Sequence, residues 1–351
     1  MSFSLHNVEC WDIMEVGFRD RYGGTIMEKK NNMKRSLVAN FNLVFYEKNG
    51  REEPLLRYFD TIVMPAFTSK YIKESGDSRY FFTHVGLEQS EDGEYVLKGI
   101  LIKKTFLEIK SDVDENWDVI EKDERYSAAP FSTFVIYLKN HRMLFVQNQK
   151  GSPSIKNFAA TSKAFLNRYV RENNKKLKEN GEVELPIPIL NVVGIPIRKK
   201  LVESLAEVEK INELCLRFYP LNGDIDFGGI LGDISNTVRK AVGSKKSDLV
   251  LKSPQNIDEV IDLVEKSNGI VEPIFKVTYI DEHGKKRQSK IQNEKISESM
   301  ELNIQSGNLE DEVEQIMKEG KKLQSITYIS KNNDMIYNAN SDKIIKFIEK
   351  K

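Results

Sequence analysis

Asp92, Glu108 and Lys110 have the residue types and order of a metal-dependent nuclease site. In such sites carboxylates hold a divalent ion and a lysine steadies the attacking water. Asp92 lies in a predicted turn, and Glu108 and Lys110 are two residues apart on the strand after it, so their side chains point to the same face. The three residues could therefore form one site with Mg²⁺. A Glu-x-Lys triplet on a strand also forms ordinary surface ion pairs, because both side chains face solvent. Nuclease activity with Mg²⁺ is therefore one alternative, and no other cofactor is predicted.

Other catalytic and metal-binding patterns are missing from the sequence. His6, His84 and His283 have no partner at the spacing of a zinc site, and Cys10 and Cys215 are the only cysteines. The sequence contains neither the phosphate loop G-x-x-x-x-G-K-[ST] nor the nucleophile motif G-x-S-x-G. No metal site or disulfide framework is therefore expected, and whether the protein is an enzyme stays open.

Charge is unevenly distributed along a chain whose formal net charge is zero. Residues 74–124 contain 14 acidic and 6 basic side chains (net −8), and residues 139–200 contain 13 basic and 4 acidic ones (net +9). Two solvated faces of unlike composition would explain this difference. The functional interpretation is a basic surface for phosphate or an acidic partner, beside an acidic region that orients it or mimics a polyanion.

The basic residues lie largely on or after a predicted helix that carries Phe165 and Tyr169. These basic residues could simply be the solvated side of an amphipathic helix. They could also form a surface that binds the phosphates of a nucleic-acid backbone. His141 and Arg142, at a predicted hairpin tip, could also contact phosphate. The residues predicted to bind nucleic acid are Arg142, Lys163, Arg168, Arg171, Lys175, Lys176, Lys178, Arg198, Lys199 and Lys200.

Strands precede helices in the first part of the chain. Alternating or β-branched runs predict strands and one hairpin at residues 41–46, 79–87, 94–110 and 133–149. Apolar residues then recur at helical spacing from Phe158, and this helix should end at Gly181. Leu201 to Leu214 has the spacing of a second amphipathic helix. We expect residues 1–221 to form an α+β domain with a mixed, mostly antiparallel sheet.

Glycines crowd between residues 222 and 246, which favours a connector between two domains. The order predicted after it is strand, helix, strand, strand, helix and strand, and then a helix over residues 342–350. The last strand of this series is Ser325–Ser330. Residues 247–351 are therefore expected to form a smaller, ferredoxin-like βαββαβ domain with a terminal helix. The length of 351 residues also favours two domains.

The sequence predicts a soluble, cytoplasmic protein. No run of about 18 apolar residues occurs, so no membrane span is expected. The first residues lack the basic start and apolar stretch of a secretory signal. The two distant cysteines are typical of a reducing compartment.

The stretch from Leu97 to Tyr169 resembles a known family. A G-I-L-I-K-K strand precedes an acidic stretch with Trp117, and P-F-S-T-F-V-I-Y-L-K-N-H-R-M-L-F-V leads into a phenylalanine-bearing helix. This order is similar to an uncharacterised bacterial family often found beside phage-defence genes and mobile elements, and I-D-E-H-G-K-K-R is similar to its tail. The resemblance covers about two-thirds of the chain, without residues 1–40 and without a catalytic motif. It implies bacterial cytoplasm, antiviral defence and a nucleic-acid target.

Three functions are consistent with these patterns. The favoured one is an antiphage defence protein that binds nucleic acid, DNA or RNA, or a nucleoprotein through residues 139–200. It would act in an assembly, with a partner protein or as a homo-oligomer. The second is a nuclease that uses Asp92, Glu108 and Lys110. The third is a protein–protein module whose acidic residues 88–124 dock a basic partner or imitate DNA.

Overall fold

The computed structural model describes residues 33–90, 92–222, 237–304 and 308–349. The strands are Met33–Tyr46 (β1), Glu52–Pro54 (β2), Lys73–Ser75 (β3), Ser78–Gln89 (β4), Tyr95–Val113 (β5), Val119–Ala128 (β6), Phe131–Tyr137 (β7), Arg142–Gln147 (β8), Ile187–Gly194 (β9), Val208–Phe218 (β10), Ser247–Lys252 (β11), Glu272–Ile280 (β12), Lys286–Ile291 (β13) and Ser299–Asn303 (β14). The helices are Met64–Phe67 (α1), Ile155–Glu179 (α2), Arg198–Leu205 (α3), Arg239–Ala241 (α4), Ile257–Lys266 (α5), Asn293–Ile296 (α6), Leu309–Gly320 (α7), Gln324–Thr327 (α8) and Lys331–Glu349 (α9). A 3₁₀ turn, Leu55–Tyr58, and a π turn, Phe59–Val63, precede α1.

A large antiparallel sheet carries two cores, one on each face. Its strands have the order β14-β1-β8-β7-β5-β4-β3, while β2 and β9 also pair with β1 and β6 pairs with β5. Side chains alternate between the faces of a strand, so both cores draw on the same strands. On β7, Phe134 and Ile136 lie in the first core, and Val135 and Tyr137 lie in the second.

Helix α2 packs on the first face through phenylalanine. Phe158 lies with its ring centroid 5.0–6.1 Å from those of Phe41, Phe82, Phe134 and Phe145. Such pairs add about 0.5–1.5 kcal/mol each beyond the burial of their area. The helix begins where a capping box satisfies its first amides, since the Ser154 side chain accepts from the backbone of Asn157 and the Asn157 side chain accepts in return.

Helix α7 packs on the opposite face and is held there by a buried polar group. Glu312 accepts a hydrogen bond from Thr133 Oγ1 at 2.6 Å and forms an ion pair with Lys34 at 3.2 Å. Gly320 makes the close approach possible, because a Cβ there would come within 2.5 Å of Leu144 and 2.7 Å of Tyr137.

A second, smaller antiparallel sheet has the order β11-β10-β12-β13. Leu201 of α3 and Val264 of α5 pack against Leu214 and Phe275 of this sheet in a third core. These two sheets and their helices confirm the predicted α+β class.

One predicted helix is a strand in the structure. The pattern from Leu201 to Leu214 supports a helix only as far as Leu205, and Val208–Phe218 is β10. Ile211 and Leu214 are three residues apart and both buried, which is typical of a helix. A register shift between Ile211 and Glu213 explains the spacing. A bulge there inserts one residue, so Ile211 and Leu214 point to the same face of the strand although they are three residues apart.

The ferredoxin-like order is also corrected. The predicted strand Ser325–Ser330 overlaps α8, and Ile326 packs in the second core of the large sheet. The fourth strand of the small sheet is instead β10, from the N-terminal side of the predicted connector. The terminal helix begins earlier than predicted, at Lys331.

In both sheets, a strand that precedes the predicted connector pairs with a strand that follows it. β10 pairs with β11, and β1 pairs with β14. Residues 223–236, with most of the connector's glycines, lie outside the described residues. The two-domain division stays a prediction. Within the described ranges, no helix combines the length and the apolar character needed to cross a lipid bilayer.

Phe158→Ala tests the role of the phenylalanine cluster. We expect a loss of about 3–5 kcal/mol in the free energy of unfolding, since a large buried ring is removed among rings that cannot close the cavity. Urea denaturation measures it. Phe106→Ala is the control, because Phe106 is 50% exposed and should change stability little. Equal losses in the two variants would contradict the assignment.

Candidate nucleic-acid interface

Helix α2 presents a row of basic residues to solvent. At 100° per residue, these side chains fall within about 120° of one another, on the side opposite the buried residues. All are exposed. They extend about 33 Å along the helix, at 1.5 Å per residue. The row, called the basic stripe below, consists of Lys156, Lys163, Arg171, Lys175 and Lys178.

Few carboxylates neutralise the basic stripe. Helix α2 contains seven basic and two acidic residues, a net charge of +5. Lys156 and Lys178, at its two ends, each lie near one carboxylate, at 3.3 and 3.5 Å. Among the described residues, Lys163, Arg171 and Lys175 form no ion pair. Arg171 and Lys175 repel each other at i,i+4, so a bound polyanion would stabilise this part of the stripe.

A tyrosine from the loop before β3 contacts the same helix. Tyr71 Oη donates a hydrogen bond to Glu172, and Arg168 Nε donates to that carboxylate at 2.8 Å. The Arg168 guanidinium also lies 4.3 Å from the Tyr71 ring centroid. Burial and the bond to Glu172 raise the pKa of Tyr71 to about 12, and the bonds from Tyr71 and Arg168 lower the pKa of Glu172. Arg168 is therefore engaged with a charged carboxylate at neutral pH.

A cavity of about 500 Å³ lies beside Tyr71. Its walls come from the loop after α1 and from β4, and they include Ile72, Phe81 and His84. His84 has a φ of 52°, at the point where the pairing of β4 with β5 shifts register. An aromatic and apolar cavity thus lies beside the tyrosine that contacts Arg168, in the middle of α2.

The predicted phosphate contact at Arg142 is not supported. β7 and β8 form the expected hairpin, but its turn is covered rather than exposed, and Arg142 is 3% accessible. Arg142 Nη1 donates to the carbonyl of Asn268 at 3.0 Å, and Asn140 Nδ2 donates to the carbonyl of Ile326 at 2.6 Å. His141 is fully buried. This hairpin tip joins parts of the fold: Arg142 is buried, and Lys139 in the same turn is paired with Glu94 and Asp334.

The remaining predicted residues have mixed surroundings. Arg198 forms ion pairs with Asp262 and Glu265, so its charge is largely compensated. Lys200 is partly buried and donates to backbone and hydroxyl oxygens. Lys176 and Lys199 are exposed and, within the described part of the chain, form no ion pair. Lys176 projects from the side of α2 opposite the basic stripe.

The structure separates the residues of the predicted nuclease site. Asp92 lies in the β4–β5 turn and pairs with Lys321 at 2.8 Å. Glu108 lies thirteen residues beyond the start of β5, at the far end of a strand path of roughly 40 Å. It pairs with Arg125 at 2.6 Å and Lys110 at 3.7 Å, as in an ordinary surface cluster. No three His, Cys, Asp or Glu side chains among the described residues are placed to hold a metal ion.

Two residues of this surface escaped the sequence-based prediction. Lys156 could have been found, because it precedes Lys163 by seven residues, two helical turns, on the same side. Tyr71 could not, because it reaches α2 from a loop about a hundred positions away, and no local pattern distinguishes it.

Comparisons with known proteins give no family for the chain. No protein-family model matches it, and no curated protein matches it either. The resemblance to the phage-defence family therefore stays an expectation drawn from the sequence.

Arg142→Gln separates a structural role from a phosphate contact. We expect the free energy of unfolding to fall by about 2 kcal/mol, because a buried charge-assisted hydrogen bond is lost. Nucleic-acid affinity per folded molecule, and its dependence on salt, should stay unchanged. Urea denaturation and gel shifts measure the two quantities. If the variant kept its stability but its nucleic-acid affinity depended less on salt, Arg142 would be a phosphate contact after all.

Proposed function

We propose that the protein binds nucleic acid through the basic stripe of α2, as a defence-type protein that acts within an assembly. The observation that carries this proposal is the run of three cations, Lys163, Arg171 and Lys175, that face solvent without an ion pair among the described residues. Each phosphate that such a residue neutralises releases condensed counterions, which drives binding without reading sequence.

The cavity beside Tyr71 favours a single strand over a duplex. Unpaired bases stack on aromatic and apolar surfaces, whereas bases inside a duplex cannot reach them. Phe81 and Ile72 offer such a surface beside Tyr71, whose ring contacts Arg168 of α2. A strand whose backbone runs along α2 could therefore place one base in the cavity.

Reversing two charges of the stripe tests the proposal. Arg171→Glu/Lys175→Glu should weaken binding strongly for every sequence and lower the slope of log affinity against log salt by about two. Gel shifts with single- and double-stranded DNA and RNA, from about 50 to 200 mM salt, measure both effects. Both side chains are exposed, so folding should be preserved.

The matched control reverses two lysines of β5. Lys103 and Lys104 adjoin the acidic part of the chain, and Lys103→Glu/Lys104→Glu should change affinity much less. If wild-type protein shifts neither DNA nor RNA at about 50 mM salt, the proposal is wrong. It is also wrong if both double variants lose affinity equally.

A second candidate function, self-association, has its own observation. Beyond Thr105, β5 leaves the large sheet and pairs only with β6, from Thr105–Ala128 to Val113–Val119. This β-arm, residues 106–127, contributes no residue to the three cores. Its exposed apolar side chains are Phe106, Leu107, Val113, Trp117, Val119, Ile120 and Tyr126. An apolar two-stranded ribbon of this kind is marginal in water and is typical of an interaction surface.

Charge points to a second copy of the chain as the partner of the β-arm. The β-arm contains eight acidic and three basic residues, a net charge of −5. Helix α2 carries +5, so the chain itself supplies a complementary surface. Trp117, 87% exposed at the tip, would then be covered by the neighbouring copy.

Removing the β-arm tests self-association. Thr105 and Ala128 are paired, so a short Gly-Ser turn can join them in place of residues 106–127. The shortened protein should keep its thermal stability, because no core residue is lost, and should be monomeric by light scattering. The full chain should associate at low salt and dissociate as salt rises. A full chain that stays monomeric at about 100 μM and low salt would exclude this candidate.

A further inference from the structure

A cleft of about 640 Å³ lies between α3, β12 and β13. Residues from the start of β1 and from α6 complete its walls. We call it the α3 cleft. It shares no residue with the basic stripe, so a ligand bound in it would be independent of the function proposed for α2.

Lys200 lies in the α3 cleft without a carboxylate to pair with. Its ammonium donates to the Ser297 carbonyl and to Ser299 Oγ, each at 2.6 Å, and it forms no ion pair with a described residue. Burial and the charge of Arg35, which lines the same cleft, lower the pKa of Lys200, and the charges of Glu203 and Glu298 offset part of this effect. The partly buried ammonium of Lys200 and the exposed guanidinium of Arg35 therefore repel each other across the cleft, and an anion bound between them would relieve this repulsion.

Cations outnumber carboxylates around the α3 cleft. Arg35, Lys200, Lys290 and Lys295 line it, against two glutamates, both on or just after α3. Three other lysines of the same sheet have acidic partners, whereas Lys210 of β10 forms no ion pair with a described residue. Lys286, on the same strand as Lys290, pairs with a glutamate of β10, and Lys276 and Lys252 flank another. The α3 cleft thus brings together four cations, Arg35, Lys200, Lys290 and Lys295, for which the described residues supply no ion pair.

We propose that the α3 cleft binds the phosphate group of a phosphorylated ligand, with Arg35 and Lys200 as its main contacts. A guanidinium presents two parallel donors to phosphate oxygens, and the ammonium of Lys200 adds a point charge that its hydrogen bonds hold in place. Tyr279, which also lines the cleft, gives the attached group an aromatic surface. A free small molecule and the terminal phosphate of a nucleic-acid strand present the same chemistry.

Calorimetric titration of the full chain with inorganic pyrophosphate tests the cleft. Wild-type protein should bind with a Kd below about 1 mM. Arg35→Gln/Lys290→Gln should raise the Kd roughly tenfold or more, because the guanidinium contact and a further positive charge of the cleft are lost. Both side chains are exposed, so the variant should fold, and its thermal denaturation curve verifies this.

Lys286→Gln is the matched control for charge alone. It removes one exposed cation from the same strand as Lys290, outside the cleft, and should leave the Kd unchanged. The proposal is overturned if wild-type protein gives no binding heat at about 1 mM pyrophosphate. An equal loss of affinity in Lys286→Gln overturns it as well, since diffuse charge would then explain the binding.

The source of the phosphate is resolved in the Arg171→Glu/Lys175→Glu background, where the basic stripe is disabled. Tighter binding of a 5′-phosphorylated than of an unphosphorylated oligonucleotide supports a cleft that holds a strand end. Equal binding of the two, together with binding of a nucleoside monophosphate, supports a cleft for a small molecule.

Discussion

The fold depends on the contact between α2 and the large sheet. Phe158 meets rings from β1, β4, β7 and β8, so a single side chain connects four strands. Because its buried side is fixed in this way, the opposite side of α2 must face solvent. The helix therefore holds its cations in one row about 33 Å long, with no further device needed to align them. The core that stabilises the protein also positions its most basic surface.

On the other face of the large sheet, some basic residues stabilise the fold rather than face a ligand. Lys34 neutralises the buried Glu312, and Arg142 donates to a backbone carbonyl in the interior. A buried cation must be paired or hydrogen-bonded, and losing its partner is costly. The basic residues of the sequence thus fall into two groups, those that hold elements of the fold together and those that are available to a ligand. Burial and the presence of a nearby carboxylate together decide which group a cation belongs to, since Arg168 and Arg198 are exposed and yet paired.

Local patterns in the sequence predict the elements that local interactions determine. The β7–β8 hairpin and α2 were predicted closely, because alternation and helical spacing are read over a few residues. β10 was missed because its bulge gives Ile211 and Leu214 a helical spacing. Arg142 donates to the carbonyl of Asn268, 126 residues further along the chain, and the α3 cleft draws its residues from six elements, β1, α3, β10, β12, β13 and α6. Long-range pairing of this kind leaves no trace in a local pattern.

Although the chain has no net charge, its acidic β-arm and its basic stripe form two surfaces of strong and opposite charge. An arm of net −5 and a helix of net +5 are each complementary to the other and to external ions of the opposite sign. If the stripe receives both a neighbour's arm and a nucleic-acid backbone, the two cannot bind at once. Linkage then requires each to weaken the other by the same factor. A polyanion bound to the stripe would then release self-association, and salt would weaken both equilibria because both would depend on the same exposed charges.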